Sequence, residues 1–389
     1  MQRTGWLRGA LSRVVLVAAV ACSQAAVDRT GPNVNAAEVS TSVRWNRRAV
    51  ALVVARQPAS NGQAAVSRIL TYVSLAQYRA VQAAAKDTKH PSVSAAVGAA
   101  SAVVLNSFFP LDVASTEAQL NGDLAIPPWP GAPVEDVAAG EALGRSIGSA
   151  VVTQAAGDNY LALPPSAVPT GAGKWTPSTA AIVRSLYGTK PFFLTTPEQL
   201  RPPAPPEFGS PAYTEALAEV RHISDARTAE QTQIAVNWNT SSGTFTAGAL
   251  NFIVDDLLQA RRVTELEAAR ILAFANAATF DAQIACWEAK YTYWMMRPTQ
   301  LAPEVIALFP PPLYPSYPSS AACSWGATAA VLAYFFPSDA AYLQATAEEA
   351  SLYPFWAGIH FRRDCEVGLA IGRSVARLVL EQVQRGSTQ

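Results

Sequence analysis

The chain has 389 residues, half of them hydrophobic and 15% charged, with 29 Lys+Arg balanced by 29 Asp+Glu and only three histidines. This length supports a large core in one or two domains and excludes a small scaffold held by disulfides. Zero net charge excludes the basic footprint with which a nucleic-acid binder neutralises phosphates, and any imidazole chemistry must draw on His90, His222 and His360.

Arg3, Arg8 and Arg13 precede a short apolar run, Val14 to Ala21, and small residues follow it. Residues 1–30 therefore have the layout of an export signal, and a periplasmic or extracellular protein is expected. Ala19-Val20-Ala21-Cys22 resembles a lipoprotein cleavage box with Ala19 in place of the usual Leu, so a lipid anchor on Cys22 stands beside simple cleavage. No later stretch offers the ~18 apolar residues of a membrane span.

Residues 31–389 read as a single helical domain, because the composition is alanine-rich and almost nothing alternates with period two. Helices are predicted over about 39–56, 62–86, 91–107, 136–156, 211–237, 247–260, 264–296, 320–335, 338–352 and 360–384. Thr264 with Glu267 forms a capping box at the start of the longest. This divides the domain into an N-terminal bundle at about 39–157 and a C-terminal one at about 211–385. Between them, 158–210 is irregular, and so is the run FPPPLYPSYP at 309–318. Long irregular segments of this kind serve as lids or pocket walls.

The chemistry concentrates in the last hundred residues. Lys290 and Arg297 lie seven apart, two helical turns, which predicts that both cations project from one face among Trp287, Tyr291, Tyr293 and Trp294. Solvated or snorkelling charges are the ordinary reading of such a pair, but unpaired cations among aromatics are costly. Pro318-Ser319-Ser320 leads into an Ala-rich run, so Ser319 reads as an N-cap and the helix start as a place for an anion. His360 and Asp364 are four apart, and on one helical face the carboxylate would fix the imidazole tautomer. Asp255-Asp256 could hold Mg²⁺, although an acidic pair in a helix is ordinarily a solvated face, and Mg²⁺ is not expected.

These residues resemble the vanadium-dependent haloperoxidases and the related acid phosphatases of the type 2 phosphatidic acid phosphatase superfamily. Lys290, Arg297-Pro298, Pro318-Ser319, His360 and Asp364 match that family's motif in order and spacing. Arg227-Thr-Ala-Glu-Gln-Thr, Gly173-Lys-Trp175, Asp281-Ala-Gln-Ile-Ala and Gly372-Arg373 resemble bacterial members, over roughly 44–383. The resemblance implies an all-α fold of two four-helix bundles with long Pro-rich loops. It also implies an oxyanion held by Lys290, Arg297, Ser319 and Ser320, with His360 as nucleophile or as axial ligand if vanadate binds, oriented by Asp364.

Three positions depart from the pattern, the first being Ser320 in place of a Gly. Ala321 stands where the family has its acid–base histidine, and Pro354 where it has a second anion-binding arginine. Arg363 or His222 could compensate, whereas His90 reads as a turn residue. A lost guanidinium forfeits roughly 1.5–3 kcal/mol per charge-assisted hydrogen bond, so vanadate binding is expected to be weakened and the protein to work without a cofactor. The leading expectation is a non-redox rearrangement, cyclisation or elimination on an organic or prenyl-diphosphate-like substrate. Weak haloperoxidase or phosphatase activity and a catalytically inactive exported binding protein are the alternatives. A homodimer is expected, and Cys323 with Cys365 near the site could form a disulfide or remain buried thiols. Cys286 reads as a core residue.

Overall fold

Alanine-rich segments punctuated by proline should bury apolar stripes against one another as helices, and the chain folds this way. The computed structural model describes residues 39–56, 62–126, 135–160, 162, 167–177, 185–240 and 243–386. The export signal and Cys22 lie outside the described residues. Among those residues there are thirteen α-helices and no strand. None of the helices is long and apolar enough to cross a membrane.

The first five are α1 (Thr41–Arg56), α2 (Gly62–Lys86), α3 (Val93–Phe108), α4 (Val113–Leu124) and α5 (Val137–Ala156). After the irregular stretch come α6 (Pro211–Ala226), α7 (Ala229–Trp238), α8 (Phe245–Ala260), α9 (Glu265–Tyr293) and the short α10 (Pro298–Leu301). The chain ends with α11 (Ser320–Phe335), α12 (Ala340–Trp356) and α13 (Arg362–Gln384). Helices α2, α3 and α5 pack together, α11, α12 and α13 pack together, and α9 packs against both groups. Helix α9 is accordingly buried around its whole circumference from Ala268 to Tyr291, as expected of a helix apolar on all faces.

Helix boundaries depart from the sequence reading in ways that matter for the site. The Thr264–Glu267 capping box does start α9, but the helix stops at Tyr293, where Trp294 turns into the left-handed region at φ 53°. Arg297 is therefore not on a helical face shared with Lys290. The run predicted as one helix over 211–237 is two, because a second capping box, Thr228 with Gln231, opens α7. Helix α12 continues to Trp356 with Pro354 in its last turn, where burial of Tyr353 and Phe355 outweighs the lost N–H. Helix α13 begins only at Arg362, so His360 precedes it.

The irregular stretch is tied to α9 by polar anchors. The buried Asp281 carboxylate accepts the backbone N–H groups of Phe192, Phe193 and Leu194 at 2.8, 2.6 and 3.0 Å. Arg201 forms an ion pair with Glu288, and the Tyr293 hydroxyl donates to the Pro202 carbonyl at 2.5 Å.

Close approach of α11 and α13 completes the frame. A Cβ on Gly372 would lie 2.2 Å from the Cys323 carbonyl oxygen, and one on Gly368 would lie 2.4 Å from that of Ser319. With hydrogen atoms there instead, the Ser319 N–H reaches the Asp364 carbonyl at 2.9 Å.

Candidate active site

Lys290, in the last turn of α9, is fully buried, and its Nζ donates to the carbonyls of Pro315 and Ser316 at 2.9 and 2.8 Å. It lies 5.9 Å from the Trp287 ring centre and 5.2 Å from that of Tyr314. Burial lowers its pKa to about 8, because a charged amine loses water without gaining a carboxylate partner.

Arg297 comes from the turn after α9. Trp294 reverses the chain, Trp175 and Gly173 pin the turn through Trp294 O and Met296 N–H, and Arg297 caps α10. Its Nε donates to the Tyr314 carbonyl at 2.9 Å and its Nη1 to the Ile359 carbonyl at 2.8 Å. Nη1 also lies 3.1 Å from His360 Nε2. The guanidinium stacks over the Tyr314 ring at 4.9 Å, and its Nη2 is buried without a partner. Burial lowers its pKa to about 10.

His360 and Asp364 meet although His360 is outside α13, because Phe361 caps that helix and Asp364 lies in its first turn. Their contact is Nδ1 to Oδ2 at 3.0 Å. The same oxygen accepts the Phe361 N–H at 3.2 Å and the Ser316 hydroxyl at 2.5 Å, and Ser316 Oγ lies 3.3 Å from His360 Nδ1. With Nδ1–H directed at the carboxylate, Nε2 is the lone pair that accepts from Arg297. Burial first, then Arg297, lowers the His360 pKa to about 3, against the opposing effect of Asp364. The imidazole is neutral at physiological pH.

Ser319 is the N-cap of α11, its hydroxyl accepting from Ala322 N–H at 3.4 Å. Ser320 starts that helix and its hydroxyl hydrogen-bonds that of Tyr314. Ala321 and Pro354 are both buried apolar residues. The Pro354 carbonyl accepts the N–H groups of Ile359 and His360 at 3.0 and 3.2 Å, so it shapes the turn that carries His360. Chain order did not reveal Ser316 and Tyr314 as site residues; the proline-rich run that contains them was the available signal.

Of the two readings left open for Cys323 and Cys365, the structure has the free buried thiols and not the bond. Cys323 faces α9 and hydrogen-bonds Cys286, whereas Cys365 packs with Tyr213, Phe355 and Phe361. Nor do the suggested replacements for the missing cation and imidazole reach the site, since Arg363 and His222 are exposed. His90 is an exposed turn residue at φ 52°. Asp255 is buried and accepts from Asn46 at 2.9 Å, and Arg47 lies against both carboxylates, 3.8 Å from Asp255 and 3.5 Å from Asp256. Among the described residues no group of three or more His, Cys, Asp or Glu is placed to hold a metal ion.

Residues 268–387 match the family model of the PAP2 superfamily. No curated protein sequence matches the chain significantly. A bacterial vanadium-dependent iodoperoxidase is similar in structure, with a TM-score of 0.74 and 20% identity over 88% of this chain and 96% of that one. The holo form of a bacterial vanadium-dependent chloroperoxidase gives 0.66 and 15% over 83% of this chain and 92% of that one. An apo form gives 0.66 and 16% over 84% and 96%.

Proposed function

We propose that this chain, whose residues 268–387 form a PAP2-superfamily segment and whose fold is that of the bacterial vanadium-dependent haloperoxidases, is an enzyme that works without vanadate. Its reaction is a non-redox rearrangement, cyclisation or elimination on a small organic substrate. The layout of residues 1–30 supports export.

The observation that carries this reading is the 3.1 Å contact between Arg297 Nη1 and His360 Nε2. A bond from His360 to vanadium would require the Nε2 lone pair, which here accepts a hydrogen bond from a cation. Pro354 supplies no positive charge where the family resemblance implies an arginine, and Ala321 supplies no proton where it implies a histidine. The donor set does not fit vanadate.

What the residues do support is stabilisation of a developing oxyanion. Arg297 Nη2, buried and unpartnered, can donate to a substrate oxygen, and preorganised donors in a water-poor site are effective because they need no reorganisation. Lys290, with its pKa lowered to about 8, can give or take a proton near neutral pH. His360, held neutral and oriented by Asp364 and Ser316, accepts from Arg297 and fixes the guanidinium plane.

The test is direct. Protein equilibrated with orthovanadate and then desalted should hold far less than one vanadium per chain and show neither halide oxidation nor 4-nitrophenyl phosphate hydrolysis. Lys290→Met and His360→Ala should each abolish turnover of an organic substrate found by screening. One tightly held vanadium accompanied by halide oxidation would refute the reading.

A further inference from the structure

The two cations hold eight N–H groups between them, and most already have partners in the chain. Lys290 directs two at Pro315 O and Ser316 O; Arg297 directs Nε at Tyr314 O and Nη1 at Ile359 O and His360 Nε2. One N–H on Lys290 and the two on Arg297 Nη2 remain, and Nη2 is a buried donor without a partner. Arg297 is 1% exposed and Lys290 fully buried. Over both lies the Tyr314 ring, at 5.2 Å from Lys290 Nζ and 4.9 Å from Arg297 Cζ. Tyr314 is only half-buried and Leu313 beside it is exposed, whereas residues 315–320 are all buried.

We infer that the Tyr314 ring is the gate of a carboxylate- or enolate-binding site formed by Arg297 Nη2 and the free N–H of Lys290. Leaving two buried guanidinium N–H groups unpaired is costly, so a ligand that satisfies them is favoured. Their planar fork matches the two oxygens of a carboxylate or the single oxygen of an enolate. A tetrahedral oxyanion would leave oxygens without donors. The charge balance agrees: Lys290 and Arg297 face one carboxylate, Asp364, and a neutral His360, so one negative charge completes the site while a second would be buried uncompensated. Trp287, its ring centre 5.9 Å from Lys290 Nζ, favours an aromatic or unsaturated body on the ligand. This inference rests on the non-redox reading and narrows its substrate to an organic monoanion, or a carbonyl compound passing through an enolate, in place of a diphosphate.

The chain has five lysines, so a small amine-acylating reagent with mass-spectrometric readout reports on Lys290 against the exposed Lys86, Lys89 and Lys190. In the wild type Lys290 should react about a hundredfold more slowly than these, since labelling requires local opening. Tyr314→Ala should raise its rate about tenfold and Tyr314→Phe should not; if the alanine variant fails to fold, Tyr314→Leu takes its place with the same expected direction. Benzoate should protect Lys290 in a saturable way, and phosphate or pyrophosphate at matched ionic strength should not. Wild-type labelling at the rate of Lys86, or no acceleration in the ring-removing variant, would overturn the gate. Protection by phosphate equal to that by benzoate, or none by benzoate, would overturn the carboxylate site. Because the readout is binding, a protein that takes benzoate but turns over no organic substrate sinks the proposed activity and leaves the site standing.

Discussion

Arg297 donates through Nη1 to Nε2 of His360 at 3.1 Å, and both side chains are almost wholly withdrawn from water. A cation therefore occupies the Nε2 lone pair that a bond to vanadium, or attack on a phosphorus atom, would need. His360 has Asp364 on one nitrogen and Arg297 on the other, which fixes its orientation, while burial first and then Arg297 keep it neutral against the opposing effect of Asp364.

The first prediction concerns pH. The His360 pKa falls from 6.5 to about 3 on folding, so the unfolded chain binds a proton that the folded one refuses. Stability present above pH 6.5 is lost as pH falls toward 3, with a slope of about 1.4 kcal/mol per pH unit. Asp281 acts in the opposite sense: its folded pKa is raised from 3.8 to about 6, so its contribution is present below 3.8 and lost as pH rises through 6. Urea titrations at several pH values should show His360→Gln losing less stability than wild type between pH 6 and 4. Parallel slopes for the two proteins would contradict the buried neutral imidazole.

Asp281→Asn should release the irregular stretch from α9. The amide replaces an acceptor of three backbone N–H groups with a group that has one acceptor oxygen and two donors of its own. At pH 7 a loss of about 2–3 kcal/mol is expected, and hydrogen exchange should accelerate at residues 192–194 first. Unchanged protection there would show that other contacts hold the segment.

Supplying the two groups that the family resemblance implies should strengthen vanadate binding. Pro354→Arg combined with Ala321→His puts a guanidinium and an imidazole at the positions where that resemblance implies them. Vanadate affinity measured by ⁵¹V NMR should rise by about one to two decades, the equivalent of one charge-assisted interaction. No gain in a folded double variant would mean that the Arg297–His360 contact alone closes the site to vanadate.

Gly372→Ala should strike the frame and not the chemistry. Its new Cβ would sit 2.2 Å from the Cys323 carbonyl and 2.6 Å from Ala327 N, so α11 and α13 must separate. A loss of about 2–3 kcal/mol is expected from overpacking, read as a lower thermal midpoint, with the Ser319 N–H to Asp364 carbonyl bond weakened. An unaltered midpoint would show that the crossing is looser than its distances indicate.

Sequence alone determined the helical class, most of the helices though not α4, and the choice of candidate site residues, because alanine content, capping pairs and fixed spacing act locally along the chain. Thr264 with Glu267 marks the start of α9, and Lys290, Arg297, Ser319, His360 and Asp364 stand out at their intervals. Only the tertiary structure decided how these groups meet. Arg297 reaches the site because Trp294 ends α9 early, not because two turns of helix align it with Lys290. Ser316 and Tyr314 join the site because proline-rich chain, which has no periodicity to read, folds its carbonyls onto buried cations. Whether Cys323 and Cys365 pair stayed open in the sequence for the same reason: nearness to the site along the chain does not say which side of a helix a thiol faces, and in the fold Cys323 meets Cys286 while Cys365 packs with Tyr213, Phe355 and Phe361.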